Sequence, residues 1–560
     1  MDARHSSSAL LTSTVVDPVH AFPTLTPAQM ARMESHGRRR TTRSGDVLCE
    51  AGDRDTSLFL VLAGEVQVVR PEPGETLIAN YRPRQFSGEC TVVTGRPAIF
   101  RVRVSEPGEV IELDRGQLLS LVQDDAELSE ILLGAFLQRR LGLVAEGLGD
   151  VVVLGSPHDA GTLQVRQFLT RNGHPFQYVD LDRDQDAQEM LDRFRVGLAD
   201  IPIVICRGES VLHRPTNAQI ADRLGFNEDL DVTRVVDLAI VGAGPSGLAA
   251  AVYGASEGLD VLVLESSVPG GQAGSSSRIE NYLGFPSGIS GLDLTTRAYS
   301  QALKFGARLL VARGATRLAC SGQRYTLDLD DVSRIAARAV IIATGAEYRK
   351  PAIEGLAAFE GLGIYYAATP MEAQLCLGEE VAVIGGGNSA GQAAVFLAST
   401  ARRVHMVVRA SGLQDTMSRY LSRRIEDNPA IVLHTRTEVV GVEGNGMLER
   451  IRWRDAQTGL IETHDLGHLF VMAGAVPNTR WLNGCVALDG SGFVKTGPDL
   501  SADDLTRAKW TLSRPPSLLE TSRPGIFAVG DVRSGNIKRV ASAVGEGSIA
   551  VAYVHQVLRQ

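Results

Sequence analysis

Two glycine-rich turns constrain this chain more than any other feature of its sequence. Each follows a short β-branched run and precedes an alanine-rich stretch, at residues 235–256 and again at 381–401. A strand, a glycine turn and a helix in this order predict a parallel sheet with helices packed against it. Glycine is needed there because the turn is tight and the helix packs closely on the strand. The chain after residue 235 is therefore expected to form two doubly wound α/β units.

The first unit predicts a binding site for a dinucleotide. Glycines at a strand-to-helix turn let the backbone approach a pyrophosphate, whose charge the helix N-terminus stabilises. Glu265 follows the next predicted strand, at the spacing where an acid bonds ribose hydroxyl groups and repels a 2′-phosphate. FAD is therefore predicted here, held by Gly242, Gly244, Pro245, Ser246, Gly247 and Glu265.

The second unit has a base where the first has an acid. Arg409 follows its second predicted strand, at nearly the spacing from the glycine turn that Glu265 has in the first unit. Since a guanidinium pairs with a 2′-phosphate, NADPH is favoured over NADH, and Arg402 and Arg403 are candidate additional cations. The residues predicted to bind it are Gly385, Gly387, Asn388, Ser389, Ala390 and Arg409.

Shorter segments of the same region resemble the low-molecular-weight thioredoxin reductases. They are the segments 269–272, 280–282, 340–346, 521–531 and 539–541. The resemblance implies a homodimer and adds further contacts to FAD. These contacts are Gly271, Gln272, Asn281, Thr344, Gly345, Gly530, Asp531, Arg539, Val540 and Ala541.

The chain departs from that family at its redox-active cysteines. The family has Cys-Ala-Thr-Cys before its second glycine turn, whereas this chain has Ala367 and Pro370 at the two cysteine positions. We therefore expect an FAD-dependent NAD(P)H oxidoreductase whose flavin passes electrons directly to a small-molecule or protein acceptor, and no catalytic residue is assigned. Two alternatives stay open. One is a disulfide reductase that uses cysteines from a partner or cysteines brought together by folding, and the other is an effector-responsive flavin sensor with little turnover.

The first 148 residues contain short β-type runs separated by glycines, which predict an antiparallel roll. Segments 45–48, 52–53 and 58–66 resemble the β-roll of cyclic-nucleotide-binding domains, with residues 86–89 at the position of the phosphate-binding cassette. The resemblance implies an effector site at Gly88 and Glu89. The arginine that pairs with the cyclic phosphate is replaced by Ala98, which removes the charge-assisted contact, so that Arg96 or Arg101 would have to replace it.

Residues 149–230 alternate between strand and helix patterns and resemble the thioredoxin and glutaredoxin fold. Pro202 stands where that fold has a cis proline, and Thr216 with Gln219 predicts a helix start. A further helix is predicted at 187–194. The Cys-X-X-Cys motif of that fold is replaced by residues 156–159, Ser-Pro-His-Asp. Because no thiol is present at this turn, we interpret the domain as structural or as a docking platform.

Charge and cysteine content limit the remaining possibilities. The 6 cysteines among 560 residues, without a signal peptide, predict reduced thiols and a cytoplasmic protein. A net charge of −9 gives no support for a nucleic-acid partner, and neither a membrane span nor a metal site is predicted.

The expected fold is multidomain: a β-roll with helices, a thioredoxin-like α/β domain, and two Rossmann-like dinucleotide-binding domains. The expected boundaries are 1–148 and 149–230 for the first two domains, 235–350 with 481–560 for the FAD domain, and 351–480 for the NAD(P)H domain.

Overall fold

A helix-flanked roll, a small mixed α/β domain and two parallel-sheet domains follow one another along the chain. The computed structural model describes residues 17–71, 75–88, 90–157, 159–182, 200–208, 210–276, 278–320, 324–414, 416–482 and 484–559. Within these ranges, no helix has the length and apolar character needed to cross a bilayer.

The roll is one antiparallel sheet with helices at both ends. Its elements are α1 (Pro18–Ala21), α2 (Pro27–Glu34), β1 (Arg38–Thr42), β2 (Val47–Cys49), β3 (Leu58–Arg70), β4 (Thr76–Tyr81), α3 (Cys90–Thr94), β5 (Arg101–Leu113), α4 (Arg115–Asp124) and α5 (Ala126–Ala145). The strand order is β1-β5-β3-β4, and β2 pairs with β5. Gly64 lies at a bulge inside β3, because its φ is +81° and a Cβ there would lie 2.5 Å from the carbonyl oxygen of Glu106.

The middle domain is a four-stranded mixed sheet in the order β7-β6-β8-β9. Its elements are β6 (Val151–Gly155), α6 (Ala160–Arg171), β7 (Gln177–Asp180), β8 (Ile203–Cys206), β9 (Ser210–His213) and α7 (Asn217–Leu224). The Ile201–Pro202 peptide bond is cis, and Thr216 with Gln219 forms a capping box, so both predictions are confirmed. The helix predicted at 187–194 lies outside the described residues.

The first α/β domain is built on a seven-stranded sheet. Its elements are β10 (Val235–Val241), α8 (Pro245–Ser256), β11 (Val261–Glu265), α9 (Gly291–Lys304), β12 (Arg308–Val311), β13 (Ala315–Ala319), β14 (Tyr325–Leu329), β15 (Arg334–Ile342) and, near the C-terminus, α13 (Ala502–Ala508), β26 (Ile526–Ala528) and α14 (Val540–Leu558). The order is β12-β11-β10-β15-β14-β13, and β26 runs parallel to β15. Strands β10, β11, β12 and β15 are parallel, as the first glycine turn predicts.

The second α/β domain is inserted into the first through a two-stranded antiparallel ribbon, β16 (Ala346–Tyr348) and β25 (Ala475–Pro477). Its other elements are β17 (Ile364–Tyr365), α10 (Pro370–Leu375), β18 (Glu380–Ile384), α11 (Asn388–Leu397), β19 (Arg403–Val408), α12 (Arg419–Glu426), β20 (Ile431–Thr435), β21 (Thr437–Gly444), β22 (Leu448–Asp455), β23 (Ile461–Asp465) and β24 (Leu469–Val471). The parallel order β17-β24-β18-β19-β20 lies beside the meander β21-β22-β23.

Helix α6 of the middle domain contacts both α/β domains. Phe168 and Leu169 belong to the apolar core that surrounds β10 and α8, whereas Leu163 belongs to the core of the second α/β domain. The roll reaches the first α/β domain through Leu303 of α9, which packs in the core of the roll. Helix α6 therefore lies against both α/β domains.

Candidate functional site

The three glycines of the turn after β10 lack a side chain for different reasons. Gly242 has a φ of +107°, and a Cβ there would lie 2.3 Å from the carbonyl oxygen of Ala343. A Cβ on Gly247 would lie 1.9 Å from the carbonyl oxygen of Gly242. At Gly244 the nearest atom would be 3.9 Å away, so the missing side chain there leaves open space. A pyrophosphate site needs all three properties: a tight turn at the first glycine, room for the phosphates to approach the backbone at the second, and close packing of the helix on the strand at the third.

Three helices of the α/β domains that begin where nucleotides are predicted have no hydrogen bond from a capping side chain. They are α8, α11 and α14, whose N-cap residues are Gly244, Gly387 and Arg539. Ser418, which precedes α12, also makes no cap bond. Eight other described helices have an Asp, Ser or Thr cap. Each of the three helix ends at which a nucleotide is predicted therefore lacks a side-chain cap, and helix N-termini of this kind can bind phosphate.

Glu265 lies at the end of β11, beside the first turn. One carboxylate oxygen accepts a hydrogen bond from the Ala243 N–H at 2.8 Å, and the other accepts one from the Ser267 N–H at 2.9 Å. Burial raises the pKa of the Glu265 carboxyl, and these two N–H groups oppose the rise. The acid is thus fixed at the position where it was predicted to meet the ribose.

The loop after β11 lies directly on the glycine turn. The Gly270 N–H donates to the carbonyl oxygen of Ala243 at 2.7 Å, and a Cβ on Gly271 would lie 3.0 Å from the Cα of Gly244. Gln272 is exposed and donates to the carbonyl oxygen of Ala346 in the ribbon. Asn281 is exposed farther along the same loop.

Two more predicted FAD segments meet the turn from other strands. Thr344 and Gly345 follow β15, and the Thr344 hydroxyl donates to the carbonyl oxygen of Asn478 at 2.8 Å. Gly530 follows β26, where a Cβ would lie 2.6 Å from Oγ of Ser246. Asp531 is partly buried, and burial raises the pKa of its carboxyl while Lys538 opposes the rise. Val540 and Ala541 begin α14 after the exposed Arg539.

The second glycine turn is built like the first. Gly385 has a φ of +134°, and a Cβ there would lie 2.4 Å from the carbonyl oxygen of Met472, whereas Gly387 has open space around it. Asn388 accepts a hydrogen bond from the Ser418 N–H at 2.9 Å, which ties the turn to the start of α12. Ser389 is exposed and Ala390 is buried. These contacts leave the N-terminus of α11 open beside the loop that leads to α12.

Arg409 lies exposed at the end of β19, but the predicted cationic patch is only partly right. Arg402 and Arg403 lie at the opposite end of this strand, where both pair with Glu380. The prediction that they join Arg409 is therefore wrong, because the strand separates them by its whole length. The cation that sequence reasoning missed is Arg436, whose N–H donates to the carbonyl oxygen of Ala410 at 2.9 Å. It follows β20, and only the parallel pairing of β19 with β20 reveals it.

Residues 367–370, at the positions of the family's dithiol, are contacted by α6. Leu163 packs among residues that include Ala368 and Ala373. Gln167 donates to Glu372 at 2.5 Å, and the same carboxylate accepts the Thr369 N–H at 2.9 Å. Pro370 stays exposed at the start of α10. The segment is therefore held by a helix of the middle domain, whereas no thiol occurs in it.

The cysteines are not all reduced, which corrects the sequence-based expectation. Cys320, after β13, and Cys485, after the ribbon, form a disulfide with a Cα–Cα distance of 5.9 Å. Cys49, Cys206 and Cys376 are free and buried. Burial raises the pKa of Cys49 to about 12 and those of Cys206 and Cys376 to about 11, which makes them poor nucleophiles. Within the described ranges, no cluster of three His, Cys, Asp or Glu side chains could hold a metal ion.

The roll encloses a small, largely apolar cavity of about 60 Å³. Gly88, with a φ of +106°, and Ala98 both line it. Glu89, the other predicted effector residue, lies outside the described residues. The cavity is thus at the predicted effector position, and its walls come from the strands β2 to β5, from α3 and α5, and from the segments 56–57 and 98–100.

The cations proposed to replace the missing arginine do not line this cavity. Arg96 donates to the carbonyl oxygen of Asn172 at 3.0 Å and stacks on Phe226 of the middle domain, and Arg101 pairs with Glu50 and Glu75. Instead, Arg139 of α5 lines the cavity and donates to the carbonyl oxygen of Gly88 at 2.7 Å. Nothing in the sequence around Arg139 indicated this role.

Two family models match the chain. One is described as pyridine nucleotide-disulphide oxidoreductase and matches residues 236–547, and the other is described as cyclic nucleotide-binding domain and matches residues 39–125. Thioredoxin reductase from Ureaplasma parvum serovar 3 is 32% identical over 323 residues, which are 58% of this chain and 96% of that protein. NADPH-dependent thioredoxin reductase 3 from Arabidopsis thaliana is 31% identical over 360 residues, 61% of this chain and 64% of that protein.

Solved structures agree with these matches. Thioredoxin reductase from T. acidophilum and the Lactococcus lactis enzyme in its FR conformation each superimpose with a TM-score of 0.52 at 27% identity. Each match covers 58% of this chain and 100% of the other. Both predicted resemblances, to thioredoxin reductases and to cyclic-nucleotide-binding domains, are therefore confirmed.

Proposed function

Because the chain belongs to the pyridine nucleotide-disulphide oxidoreductase family and is related to thioredoxin reductases, which use FAD and NADPH, we propose that it transfers electrons from NADPH through FAD to an acceptor that is not a protein dithiol. The observation that carries this proposal is the segment 367–370, where Ala367 and Pro370 replace the family's cysteines. The nearest thiol in sequence, Cys376, is fully buried. The flavin is then the last electron carrier before the acceptor.

The residues around both turns fit the two cofactors. Bound FAD supplies hydride acceptance from nicotinamide and electron transfer to the acceptor. The open N-terminus of α8 and the space over Gly244 would hold the pyrophosphate, and Glu265 the ribose. The N-terminus of α14 adds a positive partial charge that favours an anionic flavin ring. In the related enzymes an aspartate at the corresponding position binds the ribityl chain of FAD, and Asp531 would do so here.

An anaerobic experiment tests this function. The purified flavoprotein is reduced with NADPH or NADH and is then mixed with a quinone, oxygen, a ferredoxin-type protein, thioredoxin or an aromatic disulfide. We expect rapid flavin reduction by NADPH and rapid reoxidation by at least one of the first three acceptors. Reoxidation only by thioredoxin or the aromatic disulfide would overturn the proposal.

Arg409 is expected to set the coenzyme preference. Replacing Arg409 with alanine removes a charge-assisted contact to the 2′-phosphate, worth about 1.5–3 kcal/mol. The ratio of kcat/KM for NADPH to that for NADH should fall by about 10- to 100-fold. Arg402→Ala is the matched control, because that arginine pairs with Glu380 at the far end of β19. An equal loss with both coenzymes in R409A would contradict the assignment.

A disulfide reductase remains the second candidate function, and one observation favours it. Folding brings Cys320 and Cys485 together although they are 165 residues apart in sequence, as this alternative requires. In that case the Cys320–Cys485 pair would accept two electrons that bound FAD supplies, and the dithiol would return to the disulfide as it reduces a disulfide substrate. The thioredoxin and aromatic-disulfide arms of the acceptor experiment separate the two functions.

We propose that the middle domain is a module of thioredoxin type without the Cys-X-X-Cys motif, supported by its cis Pro202 and its strand pattern. Its α6 contacts the segment 367–373 from one side. A module placed there restricts access to the very position at which the related enzymes carry their dithiol. This placement favours small acceptors over a docking protein. The predicted homodimer and cytoplasmic location stay predictions.

We also propose that the roll regulates the first α/β domain through α9. Lys304 of α9 donates to Oγ of Ser129 at 2.7 Å, and Gln123 donates to the carbonyl oxygen of Lys304 at 2.7 Å. A ligand in the roll cavity would act on α4 and α5, which carry these contacts. The family match of the roll supports a cyclic nucleotide as the effector.

Ala98 is expected to limit the affinity of the roll for such a ligand. Because it lines the cavity at the position of the family's arginine, Ala98→Arg should restore the charge-assisted contact and tighten binding of cyclic AMP or cyclic GMP by about tenfold or more. Calorimetric titration of both nucleotides into the full-length wild type and the variant measures this. If neither protein shows binding heat or a shift in thermal stability at millimolar nucleotide, the roll does not bind cyclic nucleotides. The roll is then interpreted as a docking module.

A further inference from the structure

Arg171 is the last residue of α6 in the middle domain, yet its guanidinium lies against the first α/β domain. Its Nη2 donates to the carbonyl oxygen of Gly271 at 2.6 Å and to that of Pro269 at 3.5 Å. A Cβ on Gly274 would lie 3.0 Å from the same nitrogen, so the loop leaves room for this guanidinium only because Gly274 has no side chain. The arginine is thus seated in the loop by a specific fit.

This loop is the one that lies on the pyrophosphate cradle. Gly270 donates to the carbonyl oxygen of Ala243, and Gly271 approaches Gly244. Gly271 is also a predicted FAD contact. The guanidinium of Arg171, which belongs to the middle domain, therefore contacts the loop whose backbone is expected to meet the cofactor.

Arg171 forms no direct ion pair within the described part of the chain. Both of its hydrogen bonds go to carbonyl oxygens. Its Nε is buried without a hydrogen-bond partner. Glu265 attracts it at longer range, and both Glu265 oxygens accept backbone N–H groups rather than contacting the guanidinium. Arginine stays protonated even when buried, so the site holds a cation that no described carboxylate contacts.

From this geometry we infer that Arg171 is an FAD-binding residue, and that its guanidinium provides the counter-charge for the pyrophosphate of FAD. The inference rests on the proposed function, since it requires FAD at the first turn. A pyrophosphate beside Arg171 would lower the free-energy cost of burying the guanidinium without a contacting carboxylate. Arginine is also the side chain best suited to bind phosphate oxygens. The middle domain then completes the cofactor site, so that FAD binding is coupled to the docking of α6.

The test compares full-length apoproteins refilled with FAD. The variants are Arg171→Gln, Arg171→Lys and the matched control Arg166→Gln, whose arginine lies on the same helix but stacks on Tyr178 of its own domain at 4.1 Å. Quenching of FAD fluorescence gives the dissociation constants. We expect R171Q to weaken FAD binding by about tenfold or more, R171K to weaken it less, and R166Q to stay within about twofold of the wild type.

The thermal stability of each apoprotein separates a cofactor contact from a purely structural one. The inference expects R171Q to leave apoprotein stability unchanged or raised, since an isolated charge is removed, while the stabilisation that FAD adds becomes smaller. If R171Q lowers the apoprotein and FAD-bound stabilities equally and keeps the wild-type dissociation constant, Arg171 only joins the domains and the inference fails. If the wild-type apoprotein does not bind FAD, the proposed function itself fails.

Discussion

Replacing Gly247 with alanine is expected to abolish tight FAD binding and, with it, turnover. The new Cβ would lie 1.9 Å from the carbonyl oxygen of Gly242 and 3.3 Å from the Cβ of Ala343. The first of these atoms is backbone of the turn itself, so α8 has to move away from β10. Overpacking of this kind costs about 1–3 kcal/mol, which corresponds to up to about 100-fold in FAD affinity. Flavin content and the FAD dissociation constant of the purified variant measure the effect.

Gly244→Ala is the matched control for this variant. It adds the same methyl group to the same turn, but the nearest atom is 3.9 Å away and the backbone φ of −72° suits alanine. We expect an apoprotein as stable as the wild type, with weaker FAD binding because the methyl group occupies the space that a pyrophosphate approaches. Wild-type FAD affinity in G244A would show that this turn is not the pyrophosphate site.

Replacing both Cys320 and Cys485 with serine is expected to destabilise the first α/β domain and to leave electron transfer intact. The disulfide closes a loop of 165 residues, and removal of a native disulfide typically costs about 2–5 kcal/mol. The temperature at which bound flavin is released should therefore fall by several degrees. Rates with quinone or oxygen should stay within about twofold of the wild type, since the proposed path does not use this pair.

Two controls accompany the serine variant. Wild-type protein treated with a thiol reductant should release flavin at the temperature of the double variant. Cys376→Ser changes a free, buried thiol in the other α/β domain and tests for a general effect of cysteine loss. Loss of turnover with every acceptor in the double variant would reject direct transfer from the flavin and favour the disulfide reductase.

The features that the sequence predicted well depend on local backbone conformation. The capping box at Thr216, the cis bond before Pro202 and the glycine turn at Gly242 involve residues a few positions apart. Their chemistry is the same wherever the segment packs, so a residue pattern is enough to predict them. The roll and the two parallel α/β units were predicted from the same local signals.

The errors come from contacts between residues far apart in sequence. Gly64 suggested a turn, but it is a bulge because the carbonyl oxygens of Glu106 and Pro107 lie where a Cβ would be. Arg402 and Arg403 are close to Arg409 in sequence, yet a six-residue strand places them about 20 Å away at the other end of β19.

The disulfide and Arg171 could not be predicted for a related reason. Cys320 meets Cys485 across a separation of 165 residues, and Arg171 meets Gly271 only because α6 docks on another domain. Short sequence patterns carry no information on contacts of this kind. The sequence around such a cysteine or arginine therefore does not distinguish it from other residues of the same type.

Helix α6 covers the segment 367–373, so an external protein that binds this surface has to compete with α6. Leu163 and Gln167 belong to the same chain as the surface they cover, so α6 acts as a tethered ligand. Tethering gives an effective concentration in about the millimolar range. An external protein must outcompete this internal occupant, and its apparent affinity falls accordingly, whereas a small acceptor that needs no such surface is not penalised. Under the proposed function, fusion of the middle domain to the α/β domains would therefore favour small acceptors over docking proteins.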